Sequence, residues 1–280
     1  MSKRCHRTMP AIAAALALMS GGALAQDADT LNLSYGIYVS GSRVYKINYT
    51  ASLSSDHYQT SVSMGPKGLG KLFSDYKLQM TSKGVVADGL PQPTSFASDS
   101  EKDDEKKRIE MTWSSDDLPK ADRSFGMSPE RAADVEAVLK PQTPDPLTAV
   151  LHHALRSDQK PCAGTLRAYN GAEVYELAFK YLGQEEIAAN REAAYSGPTF
   201  KCEVVFVPVA GYAKKKKKKL LVQRPTYTVW FAAILSPTTS TKLLVPVRAI
   251  GNTGKRKFEI VAFEAKISGK PLAALSQLGN

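Results

Sequence analysis

Residues 31–53 read LNLSYGIYVSGSRVYKINYTASL, and the apolar residues of this stretch fall mostly on alternate positions. Alternation places successive side chains on opposite faces of a pleated strand, so one face of each segment is apolar. Ser40-Gly41-Ser42 separates two such segments and is typical of a turn. The stretch therefore predicts two neighbouring antiparallel strands, and the same alternation over residues 58–64 predicts a third.

Further strand patterns follow along the chain. They cover residues 76–80, 109–113, 166–169, 174–181, 202–209, 226–235, 243–250 and 257–267. Asn170-Gly171 lies between two of them and predicts a hairpin with a type I′ turn, in which both central residues have positive φ. The mixed-charge block 101–108 is interpreted as a solvated turn or strand extension.

One helix is clearly predicted from Asp145 onward. The Asp145 carboxylate can accept hydrogen bonds from the first free amides, and Pro146 suits the first helical position. Apolar residues then recur at helical spacing, namely Leu147, Val150, Leu151, Ala154 and Leu155. A second helical segment is predicted over 128–139. Many strands with one or two short helices predict a mainly β fold: a curved antiparallel sheet, half-barrel or barrel (β-spiral), with a sandwich as the alternative.

The first 25 residues have the pattern of an export signal. Lys3, Arg4 and Arg7 precede a short apolar segment, and Ala23-Leu24-Ala25 forms a cleavage site before Gln26. We expect cleavage between Ala25 and Gln26, a periplasmic location, and a single β-barrel-like domain over 26–280. The apolar segment is shorter than the roughly 20 residues that span a bilayer. No transmembrane segment is therefore expected in the mature chain.

The cysteines predict a structural cross-link. Cys5 is removed with the signal, which leaves Cys162 and Cys202 in an oxidising compartment where thiols are expected to join. Two cysteines do not complete a tetrahedral zinc shell, and no C-x-x-C redox spacing is present. A bridge would close a loop of about 40 residues and stabilise the fold by about 4 kcal/mol.

Positive charge is concentrated in one place. The chain has a formal net charge of +10, which falls to +7 without the signal. A run of six lysines accounts for most of this excess: Lys214, Lys215, Lys216, Lys217, Lys218 and Lys219. Nucleic acid is not expected as a partner, because its binding surfaces spread basic residues along a face. The run is interpreted either as a hairpin tip that contacts anionic lipid or lipopolysaccharide, or as a solvated loop.

Several landmarks together resemble the domain-of-unknown-function 3108 family of exported proteins. They occur in this order: Asp145-Pro146-Leu147, Pro161-Cys162, Tyr169-Asn170-Gly171, Tyr175-Glu176-Leu177, Cys202, Ala210-Gly211, Val229-Trp230-Phe231 and Leu244-Val245-Pro246-Val247. The resemblance covers about residue 35 to the C-terminus. It implies a periplasmic β-barrel-like domain without an established activity, similar in shape to lipoprotein-carrier half-barrels and envelope-integrity β-spiral proteins. Six consecutive lysines depart from the family pattern.

No catalytic arrangement is evident, and no metal or cofactor is expected. Residues 65–71 almost match a phosphate-binding loop, but Leu72 replaces the required hydroxyl. His152 and His153 diverge by about 100° on a helix, so they cannot share a metal. They are interpreted as surface residues beside the apolar stripe.

Aromatic residues on the strands could line a cavity for an apolar ligand or fill a solid core. The candidates are Tyr35, Tyr45, Tyr49, Trp113, Phe206 and Trp230. We expect a monomeric, non-enzymatic envelope protein that binds a lipid, another apolar ligand or an envelope partner protein. A hydrolase or transferase acting on cell-wall or lipid substrates is the alternative.

Overall fold

The computed structural model describes residues 28–72, 74–114, 117–155, 161–188, 193–236, 242–252 and 257–272. The predicted export segment, including Ala25 and Gln26, lies outside these residues. The strands are β1 (Asp29–Val39), β2 (Ser42–Leu53), β3 (His57–Pro66), β4 (Lys77–Ala87), β5 (Leu90–Lys102), β6 (Glu105–Thr112), β7 (Lys120–Arg123), β8 (Thr165–Tyr169), β9 (Val174–Ile187), β10 (Gly197–Ala210), β11 (Thr226–Leu235), β12 (Lys242–Asn252), β13 (Lys257–Ile267) and β14 (Lys270–Pro271). The α-helices are α1 (Pro129–Glu136), α2 (Pro146–Leu155) and α3 (Lys214–Gln223), and a short 3-10 helix spans Gly68–Leu72.

All described strands belong to one antiparallel sheet. The sheet order is β7-β6-β5-β4-β3-β2-β1-β13-β12-β11-β10-β9-β8, with β14 paired to β13. The first seven strands, β1 to β7, therefore follow one another in the sheet as they do in the chain. The strands β8 to β13 form the other half of the sheet, which joins the first half through the β1–β13 pair. The predicted mainly β class is confirmed. The sandwich alternative was wrong, because a sandwich has two sheets and these strands form one.

The sheet curves around α2. This helix contacts β3, β4 and β5 on one arm of the sheet and β8 and β12 on the other. Because these strands lie far apart in the sheet order, one helix can reach them all only if the sheet wraps it.

The two edges of the curved sheet meet through side chains. Arg123 of β7 donates hydrogen bonds to the Tyr169 hydroxyl, at 2.8 Å, and to the Gly171 carbonyl beyond β8. The described strands form no backbone ladder between these edges. The result is an open, barrel-like sheet.

One of the two predicted turns differs from the sequence-based expectation. The β8–β9 hairpin forms as predicted, but its loop has four residues because Tyr169 pairs with Val174. Gly171 has positive φ but Asn170 does not, so the type I′ prediction was wrong. The Asn170 side chain instead accepts hydrogen bonds from the amides of Ala172 and Glu173. Residues 101–108 form a hairpin in which Asp103 and Asp104 have positive φ.

The lysine run forms most of α3, so both interpretations of it, as a hairpin tip and as a solvated loop, were wrong. Lys214–Gln223 is helical and contacts β10. The six lysines are therefore presented on defined faces of a helix.

The disulfide bond links Cys162 to Cys202, with 5.6 Å between their Cα atoms. Cys162 lies in the segment that follows α2, and Cys202 is a fully buried residue of β10. Both belong to a cluster with Phe200, Val204 and Phe231. The bond therefore fixes the chain beyond the C-terminal end of α2 against the sheet.

We expect the double variant Cys162→Ala, Cys202→Ala to unfold at lower urea concentration, because its free energy of unfolding is lower by about 4 kcal/mol. The reason is that a 40-residue separation no longer restricts the unfolded chain. The measurement is urea unfolding of both proteins under non-reducing conditions, with thiol titration as a control. Equal stability of the two proteins, together with two free thiols in the wild type, would contradict the bond.

Candidate functional site

The position of α2 is set by Asp145, which is fully buried. Its carboxylate accepts hydrogen bonds from the amides of Leu147, at 2.8 Å, and Thr148, at 3.0 Å. These are the free amides at the start of a helix, so the predicted N-terminal cap is present. The Ser82 hydroxyl of β4 donates to the same carboxylate at 2.8 Å and joins the helix to the sheet.

The hydrogen-bond network extends to β3. The Tyr58 and Thr148 hydroxyls lie 2.7 Å apart, and the Ser82 hydroxyl lies 3.0 Å from Thr148. Burial raises the pKa of Asp145 above its ordinary value against the opposing effect of these hydrogen bonds, and burial raises the pKa of Tyr58 to about 12. At 3% exposure or less, the four residues are sealed from solvent. This network therefore holds α2 in place and is not accessible to a substrate.

Beside α2 lies a partly open cavity of about 310 Å³. It is bounded by α2, by β1 to β3 and by β11 to β13. The lining residues are Leu31, Leu33, Tyr35, Ile47, Tyr49, Val62, Val150, Ala154, Val229, Leu244, Val245, Pro246, Arg248, Ala249 and Ile260. The surface they present is almost entirely apolar. Val150 is 39% exposed although it lies on the helix that the sheet encloses, which shows that α2 leaves space on this side.

The cavity lies where β12 separates from β13. These strands pair only from Arg248 to Asn252 of β12. Farther along β13, Ala262 and Ala265 accept hydrogen bonds from the amides of Ala194 and Leu272. Residues 242–247 of β12 therefore have no ladder partner in β13 and can diverge from it. Side chains line the space between this part of β12 and β1.

The polar groups at the cavity are few. The Tyr35 hydroxyl donates to the Pro246 carbonyl at 2.8 Å. The Tyr49 hydroxyl has no hydrogen-bond partner in the described part of the chain, and burial raises the pKa of both tyrosines well above the ordinary value. The guanidinium of Arg248 bonds Glu259 at 2.6 Å and lies 4.8 Å from the centre of the Trp230 ring.

Two of the six aromatic candidates line the cavity, Tyr35 and Tyr49. Trp230 packs with Lys201 and Arg248 near its ring. The other three have partners elsewhere: the Tyr45 hydroxyl donates to Ser74, the Trp113 indole donates to the Thr143 carbonyl, and Phe206 stacks on Tyr175. The aliphatic lining was not singled out in the sequence, although its alternation on β1 and β2 places it on the same inward face as Tyr35.

The sequence predicted that the two helical histidines, His152 and His153, lie at the surface, and this prediction was wrong. Both are half-buried. His152 contacts the Pro91 carbonyl of β5, whereas His153 stacks on Phe179, with ring centres 4.2 Å apart. They diverge as the helical angle requires, and each fills space between α2 and a different arm of the sheet.

No group of metal-ligating side chains is found within the described ranges. Across the same residues, no helix has the length and hydropathy needed to cross a bilayer. The glycine-rich segment after β3 forms the short 3-10 helix, where Gly70 packs against the Val44 backbone.

Comparison with known proteins assigns the chain to a family. The model of the family described as "Protein of unknown function (DUF3108)" matches residues 32–261. The chain belongs to this family. A search of curated proteins found no match. Among solved structures, the chain is similar to a β-barrel-like protein of domain of unknown function DUF1849 from Brucella abortus, with 7% identity and a TM-score of 0.48, covering 86% of this chain and 97% of that one.

We expect Asp145→Ala to lower the free energy of unfolding by about 2 to 4 kcal/mol. The variant loses the helix cap and removes the carboxylate to which the buried Ser82 and Thr148 hydroxyls donate. Asp145→Asn keeps one cap oxygen and should cost less. The measurement is urea unfolding of both variants and the wild type.

The pH dependence distinguishes the carboxylate from a neutral cap. Because burial raises the folded-state pKa of Asp145, protonation of its carboxyl group stabilises the folded protein. This contribution to the free energy of unfolding is fully present below the unfolded pKa of about 3.9. It is lost as pH rises through the folded pKa. The stability difference between the wild type and Asp145→Asn should therefore shift in favour of Asn as pH rises, and a shift in the opposite direction would contradict a raised pKa.

Proposed function

We propose that this protein is an exported, non-enzymatic envelope protein whose cavity beside α2 binds a single apolar chain. The observation that supports this most is the cavity itself, with its almost uniformly apolar lining at the β12–β13 separation. Ligand sites are concave and mostly apolar, and the mouths of β-barrels are among their preferred positions.

The volume of the cavity limits the ligand. If each methylene needs about the 30 Å³ that a water molecule occupies in the liquid, 310 Å³ holds roughly ten methylenes. This matches one acyl or alkyl chain of medium length. A bulky polycyclic or two-chain lipid would need to leave much of its surface outside.

The polar groups limit the ligand further. Arg248 is the one charged residue in the lining that the structure describes, and Glu259 already neutralises it. An ionised head group would therefore find no free counter-charge inside. Tyr49 offers a neutral hydroxyl without a partner, so the buried part of the ligand is proposed to carry an uncharged oxygen, such as that of an alcohol or ester.

The test is direct binding of 1-decanol, followed by displacement of a fluorescent apolar probe. Val150→Trp should fill the cavity and weaken binding by about tenfold or more, equivalent to about 1.4 kcal/mol. Leu182→Trp, at a strand position with 45% exposure, is the matched control and should bind as the wild type does. Equal binding by all three proteins would show that the cavity is not the site.

A second pair of variants tests the polar contact. Tyr49→Phe should weaken 1-decanol binding by roughly fivefold, since one neutral hydrogen bond contributes about 1 kcal/mol. Tyr35→Phe removes a hydroxyl that already bonds Pro246, so its binding defect should be smaller and its stability loss larger. An unchanged affinity in Tyr49→Phe would reject the oxygen contact and leave the apolar site intact.

Export is tested independently of binding. Expressed in a Gram-negative host, the protein should accumulate in the periplasm with Gln26 as its first residue, because signal peptidase cleaves after the A-x-A pattern. The measurement is fractionation followed by N-terminal sequencing. An intact Met1 terminus in the cytoplasmic fraction would refute the export proposal.

A further inference from the structure

The helix α3 carries its lysines where they do not stabilise it. Its first six residues are lysines, and its first turn contains no acidic residue or side-chain cap. The positive end of the helix dipole lies at the N-terminus and favours acidic residues there. Lysines spaced four apart also repel each other along one face. The intrinsic stability of the helix therefore does not explain the lysine run.

One side of α3 is neutralised by the protein. The Lys217 ammonium donates to the Val209 carbonyl at 2.5 Å and lies 3.9 Å from Asp134 of α1. Lys216 bonds Glu173 at 2.6 Å. Lys214 lies 3.8 Å from Glu130, at an exposed position. These contacts orient the helix on β10 and α1.

The opposite side of α3 is free. Lys215, Lys218 and Lys219 make no ion pair or hydrogen bond in the described part of the chain, and all three are exposed. Their spacing, together with Val222, follows the i, i+3, i+4 and i+7 positions of one helical face. Val222 is 77% exposed and the adjacent Leu221 is 50% exposed. We call Lys215, Lys218, Lys219 and Val222 the outer face of α3.

We propose that the outer face of α3 docks on the surface of an anionic lipid bilayer. Charge complementarity supports this occupant, because three unpaired ammonium groups would meet lipid phosphates that relieve their mutual repulsion. Val222, the exposed apolar residue on the same face, matches the boundary between head groups and acyl chains. A single patch of this kind gives reversible, salt-sensitive association. This proposal does not depend on a ligand in the cavity.

The test is sedimentation with vesicles of phosphatidylglycerol and phosphatidylcholine at low salt. Replacing Lys215, Lys218 and Lys219 by Gln should weaken association by about 100-fold, since each lysine near a charged surface contributes roughly fivefold. The control variant replaces Lys83, Lys106 and Lys120, three exposed lysines elsewhere. It makes the same change in net charge and should keep most of the binding.

Two further measurements distinguish a docking face from general attraction. Val222→Ser should weaken vesicle binding without changing the melting temperature, because Val222 contacts solvent in the free protein. Vesicles of phosphatidylcholine alone should bind poorly. Equal loss in both triple-lysine variants would overturn the assignment to α3, and tighter binding to a DNA duplex than to the anionic vesicles would overturn the lipid assignment.

Discussion

The fold depends on a buried carboxylate that joins a helix to the sheet around it. Asp145 is tolerable in the interior because it accepts hydrogen bonds from two helix amides and from the Ser82 and Thr148 hydroxyls. Ser82 belongs to β4 and Tyr58 to β3, so the network fixes the start of α2 against one arm of the sheet. The Cys162–Cys202 bond fixes the chain beyond the other end of α2 against β10 on the second arm. The two attachments together couple the curvature of the sheet to the position of one helix.

An open sheet also has to protect its edges, because unpaired strand edges can join other chains. The edge strands β7 and β8 are short, with four and five residues. Arg123 reaches across from β7 to Tyr169 and Gly171, which brings the edges together without a ladder. The curve is thus held by side chains at the edges and by α2 in the middle.

The sequence was informative wherever the signal was local. Alternation predicted most strands, Asp145-Pro146 predicted the start of α2, and the even pair of cysteines predicted the disulfide bond. The pairing of distant strands could not be predicted from the sequence. β1 pairs with β13, more than 200 residues away, and no residue near Tyr35 indicates that partner. The aromatic residues show the same limit for the site. Tyr35 and Tyr45 have the same local pattern, yet Tyr35 lies near the place where β12 separates from β13 and leaves a cavity, whereas the Tyr45 hydroxyl donates to Ser74.

The cavity is difficult to explain as a packing fault. Protein interiors pack as densely as organic crystals, and the cost of an empty cavity grows by about 24 cal/mol for each Å³. For 310 Å³ that is about 7 kcal/mol if the space were sealed and empty, comparable with the whole stability of a typical domain. Partial opening admits solvent and reduces this cost, but apolar walls offer water few partners. The lining also includes Tyr49, whose hydroxyl makes no hydrogen bond within the described residues. The proposed apolar ligand with one oxygen near Tyr49 would account for both features, because it would fill the space and give the Tyr49 hydroxyl an acceptor.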